Sequence, residues 1–284
     1  MSKHLVAAIQ FAAGINVKTN LETVAALVAK AAHRGASLIV LPENFSLMGI
    51  KETDKLHHAE VDGDGPIQDF LADLAVTKRV WLVGGTIPIQ SSHGKVRASC
   101  LVYDDSGACV GRYDKIHLFD VDVPGSKEQY RESATIDAGE KPLLIDSPFG
   151  KLGVTICYDL RFPELYRQLA DAGVEIIAVP AAFTAITGAA HWEVLLRARA
   201  VENLAYVVAA GQGGIHENGR ETYGNSMIVD PWGTVMARLG VEPGVALAEI
   251  DLDSQRHYRK VFPVLTHRRL DSAGFSAAAK TDGM

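Results

Sequence analysis

Apolar residues in the first third of the chain recur with two alternating periods. Leu5-Val-Ala-Ala-Ile-Gln-Phe11 is a short, nearly continuous apolar run of strand character. After it, Leu21, Val24, Leu27, Val28 and Ala31 recur at the spacing that gathers them on one helix face, with Asn20 read as the cap and Gly35 as the end. Ser37-Leu-Ile-Val-Leu41 is again unbroken, the form expected where both faces of a sheet are covered, and Pro42 stops it. A second helix is predicted from Pro66 to about Arg79, with Ile67, Phe70, Leu71 and Leu74 inward, leading into a strand over 80–87.

Further along, 100–103 and 108–113 flank the turn Asp104-Asp-Ser-Gly107 and predict an antiparallel hairpin, so the sheet is mixed. A second hairpin is predicted between 143–146 and 153–156, followed by a helix over 162–172 and a buried strand over 174–179. A helix over 189–203 and strands over 206–210, 226–230 and 246–251 continue the alternation, which marks an α/β fold. Residues 117–140 lack periodicity, and a loop of that length predicts a lid or a site wall. No Pro-, Gly- or Ser-rich linker divides the chain, so a single domain is expected over 1–271, with a flexible tail over 272–284.

The 284 residues are 48% hydrophobic and 22% charged, which suits a globular protein with a large core. A net charge of −6 with scattered basic residues gives no footprint for nucleic acid or an anionic membrane. No apolar run reaches membrane-spanning length, and the run from Met1-Ser-Lys straight into the first strand is read as having no cleavable leader, so neither export nor a membrane span is expected. Cys100, Cys109 and Cys157 show no paired spacing, so a reducing, cytoplasmic setting is expected, without disulfides. Neither an HExxH motif nor clustered cysteines point to a metal, and no cofactor motif is found: the Gly211-Gln-Gly-Gly214 run lacks the lysine of a phosphate loop and is read as a turn.

Candidate chemistry gathers at strand ends. Cys157 follows the strand over 153–156 and precedes a helix opened by Pro163, where exposure and a helix N-terminus would favour a thiolate. Glu43 follows 37–41 and Lys115 follows 108–113, and in open α/β sheets ligands bind beyond the carboxyl ends of strands. Asp159 and Arg161 are expected to pair and pin the turn that presents Cys157, and Glu164 complements a helix start. A Cys–His pair with His117 or His191 as base is the alternative, but it leaves Glu43 and Lys115 without roles.

The segments Leu41-Pro-Glu43-Asn-Phe45, Tyr113-Asp-Lys115-Ile-His117 and Ile156-Cys157-Tyr-Asp-Leu-Arg161-Phe-Pro-Glu164 resemble, in order and position, the signature segments of the nitrilase, or carbon–nitrogen hydrolase, superfamily. Tyr130-Arg-Glu132-Ser resembles the segment that carries that family's second carboxylate. The resemblance implies a nitrilase-like α-β-β-α sandwich of two mixed sheets with helices on the outer faces. It also implies a Glu43–Lys115–Cys157 triad, with Glu132 in support, that hydrolyses amides through a thioester. Tyr158 and Asp159 after the cysteine look like the amidase branches, and the segments over 183–200 and 225–235 are most similar to deaminated glutathione amidases. That branch implies a small-molecule amide substrate split into 2-oxoglutarate and cysteinylglycine, and a homodimer or higher homo-oligomer. The ω-amidases, acting on 2-oxo-dicarboxylic acid monoamides, are the nearest rival, and a non-catalytic scaffold of the same fold is the remaining alternative. Substrate carboxylates need cationic or N–H partners, which makes Tyr158, Phe183, Thr184, Thr187 and His191 candidate binding residues. Ala189 and Asn225 depart from the branch, where proline and histidine are common, and are expected to retune the pocket.

Overall fold

The unbroken apolar runs form two mixed sheets packed face to face, each covered outside by helices, in a computed structural model that describes residues 3–269. The expected tail over 272–284 lies outside the described residues. The first sheet has seven strands. Six run in the order Gly244–Asp251, Lys3–Gln10, Leu38–Val40, Trp81–Val83, Val96–Tyr103 and Ile87–Gln90, and Cys109–Asp114 pairs with Val96–Tyr103 off that path. The second has six, in the order Val235–Arg238, Met227–Val229, Tyr206–Gly211, Ile176–Ala181, Gly150–Val154 and Leu143–Ser147.

Alternation along each strand of the first sheet sorts its side chains between two cores. Val6, Ala8, Leu38, Val40, Val83 and Val102 face the second sheet, packing with Leu152, Val154, Ile176 and Val208. Ala7, Ile9, Ile39, Leu82 and Leu101 face outward. There they meet Val24, Val28 and Ala31 of α1 (Val17–His33) and Ile67, Leu71 and Leu74 of α2 (Pro66–Lys78). The second sheet is covered by α3 (Pro163–Asp171), through Leu165, Tyr166 and Leu169, and by α4 (Ala185–Asn203), through Trp192, Leu196 and Ala200. The four layers are the α-β-β-α sandwich that the resemblance implied.

Several elements differ from the reading of the sequence. α1 is capped by Asn16, whose side chain accepts from the Thr19 N–H, whereas Asn20 is buried inside the helix. Its amide donates to the carbonyls of Gly14 and Ser46, a tertiary demand that the local pattern hides. The strand expected over 80–87 breaks into Trp81–Val83 and Ile87–Gln90. Gly85 sits between them at φ +59, where an added Cβ would lie 2.2 Å from the Pro42 carbonyl oxygen, so only glycine fits that crossing. Gly211-Gln-Gly-Gly214 is not a turn: Gly211 ends one strand, and Gly213–Ile215 pairs with Glu221–Tyr223 as a hairpin. A last helix, α5 (Leu252–Val261), capped by Asp251, was not predicted, and neither was the strand Val235–Arg238. The stretch over 117–140 holds a short hairpin, Asp120–Asp122 with Gln129–Arg131. Among the described residues, no helix is long and apolar enough to cross a membrane.

Candidate active site

Lys115 lies one residue beyond the strand Cys109–Asp114 and is held there by its backbone: its N–H donates to the Ala98 carbonyl and its carbonyl accepts from the Gly139 N–H. The side chain is 1% exposed. Its Nζ lies 2.8 Å from Glu43 Oε1 and 3.0 and 2.8 Å from the two carboxylate oxygens of Glu132. Glu43 arrives from the turn after Leu38–Val40. That turn is fixed by Asn44, which adopts φ +56 and donates its N–H to Thr86 Oγ1, and by Gln212, whose Nε2 donates to the Glu43 carbonyl at 2.9 Å. Glu132 follows the short hairpin, and its Oε2 also accepts from the Phe119 N–H at 2.8 Å.

Cys157 belongs to the other sheet. After Gly150–Val154 the chain reaches Cys157 at φ +47, a left-handed conformation that strains a residue carrying a Cβ and that persists where surrounding structure fixes it. Asp159 does the fixing. Fully buried, it accepts from the Ile156 N–H at 2.8 Å, the Tyr113 hydroxyl at 2.7 Å and the His117 N–H at 3.0 Å, with His117 Nδ1 at 2.7 Å. One carboxylate thus ties the cysteine turn to the strand end that carries Lys115. The expected Asp159–Arg161 pair does not form, because these four donors occupy Asp159. Arg161 turns toward Cys157 instead, its guanidinium 5.8 Å from the Tyr158 ring centre and 5.3 Å from that of Phe183.

The electrostatics assign different charges to the three groups. Burial pushes the Lys115 ammonium down, but the carboxylates of Glu132 and Glu43 outweigh it and hold its pKa well above the usual lysine value. Burial likewise opposes ionisation of Glu132, yet Lys115 and the Phe119 N–H bring it below the ordinary carboxylate range. The Cys157 thiol is pushed well up, first by burial and then by Glu43, with Lys115 offsetting only part. That corrects the expected thiolate: the sulfur is buried, and the turn Cys157–Arg161 stands between it and the start of α3. The site holds a neutral thiol beside a carboxylate, an arrangement in which the proton leaves as the sulfur attacks.

A pocket of about 200 Å³ opens at Cys157, lined by Phe119, Tyr158, Arg161, Ala182, Phe183 and Thr187. Of the candidate binding residues it therefore brings in Tyr158, Phe183 and Thr187. Thr184 is fully buried and caps α4, accepting from the Thr187 N–H, and His191 is an exposed neighbour of Arg161, 3.1 Å from its Nη1. Neither histidine suits the Cys–His alternative: His117 is stacked on Phe162 at 3.7 Å and bonded to Asp159. Ala189 faces outward on α4 and Asn225 accepts from Arg238, so neither departure reaches the pocket. Glu132 also lines a second, larger cavity of about 730 Å³, together with Tyr130, Lys51 and Arg220 among others. Phe119, Arg161 and Arg220 were missed as site-lining residues, and Gln212 as the support of the Glu43 backbone. Phe119, an apolar residue in a polar loop, and Gln212, a glutamine among glycines, were the available signals.

Residues 5–260 match the carbon-nitrogen hydrolase family. A deaminated glutathione amidase of Synechocystis sp. is 43% identical over 272 residues, covering 94% of this chain and 99% of that protein. Among solved structures, the C. elegans NitFhit protein superposes with a TM-score of 0.87 at 36% identity, covering 94% of this chain but only 65% of that longer one. A mutant amidase from Nesterenkonia sp. AN1, with the acetamide moiety of fluoroacetamide added covalently at its active site cysteine, is similar at a TM-score of 0.79 and 25% identity, covering 94% of each chain.

Proposed function

Because the chain belongs to the carbon–nitrogen hydrolase family, we propose that it is an amidase that cleaves deaminated glutathione to 2-oxoglutarate and cysteinylglycine, with Glu43, Lys115 and Cys157 as its catalytic residues. The observation that carries the chemistry is the buried ammonium shared by two carboxylates beside a protonated thiol. In this reading the Cys157 sulfur attacks the amide carbonyl carbon while Glu43 takes the thiol proton. The oxyanion is stabilised by Lys115 Nζ and the Tyr158 N–H, a type of contact whose loss typically costs about 3–4 kcal/mol in the transition state. Glu43 passes the proton to the departing amine, leaving an acyl thioester. A water then enters, Glu43 takes its proton as it attacks the thioester carbonyl, and the carboxylic acid leaves as the proton returns to sulfur. Glu132 keeps Lys115 charged and aimed, and serves as a positioning residue.

The substrate assignment is supported by the name and identity of the Synechocystis relative. It is also supported by Arg161, which lines the Cys157 pocket and has no carboxylate partner among the described residues, so it is available to a substrate carboxylate. Release of 2-oxoglutarate from deaminated glutathione, with Cys157→Ala as control, tests the reading. A kcat/KM for 2-oxoglutaramate exceeding that for deaminated glutathione would move the chain to the ω-amidases, and no turnover of any amide would leave a scaffold. Two further expectations accompany the proposal. The need for a free Cys157 thiol fits a reducing, cytoplasmic setting, and the exposed Val194 and Val201 on the outer face of α4 fit pairing with a second copy, which sedimentation of Val194→Glu would test.

A further inference from the structure

The larger cavity beside Glu132 is lined by five charged side chains: Lys51, Glu52, Lys55, Glu132 and Arg220. Three of them are already matched. Lys55 pairs with Glu52 at 2.7 Å, and Glu132 is occupied by Lys115 and the Phe119 N–H. Two cations remain, Lys51 and Arg220, and neither has a carboxylate partner among the described residues. Arg220 is the better placed of the two, because it is held from several sides. Its Nη2 donates to the Ala182 carbonyl, its guanidinium lies 4.8 Å over the Tyr130 ring, and Asn218 steadies the turn before it by accepting the Arg220 N–H at 2.9 Å. Only one oxygen, the Ala182 carbonyl, takes any of its five N–H donors: the hydrogen-bond partner of Nη1 is the weakly accepting Met48 sulfur at 4.0 Å, and Nε is buried without a partner. A half-buried guanidinium with most of its donors unspent, at the wall of a cavity, is built for an anion.

The recess that contains Cys157 and the recess that contains Glu132 differ in size, and each carries one arginine without a carboxylate partner among the described residues. Arg161 lines the pocket of about 200 Å³ that contains Cys157, and Arg220 lines the cavity of about 730 Å³ that contains Glu132. Ala182 is the partition: it lines the smaller pocket, and its carbonyl holds Arg220. A substrate with a short acyl arm and a longer departing amine, each ending in a carboxylate, matches this division. We propose that Arg220, assisted by Lys51, is the carboxylate subsite for the leaving amine, so that the enzyme prefers amides whose amine part is a small peptide with a free C-terminus. This inference rests on the substrate reading above, in which the leaving group is cysteinylglycine, and adds the residue that selects it.

The test compares deaminated glutathione with the same compound carrying a carboxamide in place of the glycine carboxylate. One charge-assisted hydrogen-bonded pair distinguishes them, so the wild-type enzyme is expected to favour the acid in kcat/KM by roughly 10- to 100-fold. In Arg220→Gln that preference closes toward unity, mainly through KM, and Arg220→Lys restores part of it. Where Arg220→Gln does not fold, inhibition of the wild-type enzyme by free cysteinylglycine and by cysteinylglycinamide reads the same subsite, and the amide is expected to bind at least tenfold more weakly. A preference that survives intact in Arg220→Gln, or equal inhibition by the two dipeptides, overturns the assignment of Arg220 while leaving the substrate reading in place. A wild-type enzyme that turns over neither compound yet hydrolyses 2-oxoglutaramate overturns both.

Discussion

Replacing Lys115 by methionine removes one positive charge and keeps nearly the same stem, which isolates the electrostatic work of the ammonium. Nζ stands 2.8 Å from an oxygen of Glu43 and 2.8 Å from one of Glu132. The two carboxylates therefore lie within about 6 Å of each other, and without the ammonium they repel by about 3 kcal/mol at an effective dielectric near 20, or about two pKa units. In the wild-type protein Glu132 is held below its ordinary value, so its contribution to stability is complete above the unfolded carboxylate pKa and is lost as pH falls through the folded value. Lys115 is held above its ordinary 10.5, so its contribution is complete below that pH and is lost only as pH rises through the raised value. Both contributions are intact at neutral pH. In Lys115→Met one carboxyl is instead harder to ionise in the folded state, so the variant is least penalised below the ordinary carboxylate value of about 4.5 and loses stability as pH climbs above it. Urea unfolding of both proteins between pH 4.5 and 7.5 should show the gap widening by about 2–3 kcal/mol, while hydrolysis falls about 10²- to 10³-fold. A gap that stays constant across that range would refute the reasoning, because the carboxylates could not then be sharing one ammonium.

Glu43→Gln removes the second largest influence raising the Cys157 thiol, so alkylation by iodoacetamide at pH 7.5 is expected to become faster even as hydrolysis falls by about 10²- to 10⁴-fold; slower alkylation would show that Glu43 acts on the sulfur more as a base than as a charge, and an unchanged rate that it does not act there. Tyr113→Phe takes one of four donors from Asp159 and should cost about 1–2 kcal/mol in urea unfolding with a smaller effect on kcat, whereas a neutral change would mean that the other donors suffice. Gly139→Ala sets a Cβ 2.0 Å from the Asp114 carbonyl oxygen, beside the hydrogen bond that holds the Lys115 backbone. It should lower stability by about 1–3 kcal/mol and depress kcat more than it raises KM, read by thermal unfolding and initial rates.

The strand ends that bear Glu43 and Cys157 were legible because strands covered on both faces need largely apolar runs, and such a run stops where the chain leaves the sheet, whereas the half-exposed strand before Lys115 was legible from the turn 104–107 of its hairpin. The charge state of Cys157 was not legible. It depends on burial and on Glu43, more than a hundred positions away, while the local order of strand, turn and proline suggests a helix dipole at the sulfur. Thr184 misled for a related reason: a threonine before a helix has the same local pattern whether it caps that helix or faces a ligand, and only its complete burial separates the two. Gln212 was hidden by the glycines around it, which read as a turn but end one strand and open a hairpin, and Arg220 stands just before the second strand of that hairpin, where no local pattern marks it. Arg161 lay inside a recognised motif, yet its orientation followed from the saturation of Asp159 by Tyr113, Ile156 and His117, a competition that no local pattern reveals.

The acid and the ammonium come from one sheet and the sulfur from the other, with Asp159 bridging the halves. During synthesis the segment carrying Cys157 emerges only after the strands behind Glu43 and Lys115, and until the halves dock its thiol has no neighbouring base and no charge to receive an oxyanion. A nascent or partly unfolded chain is therefore chemically innocent toward cellular amides. Recovery of turnover during refolding should coincide with closure of the sandwich and not with formation of either layer alone.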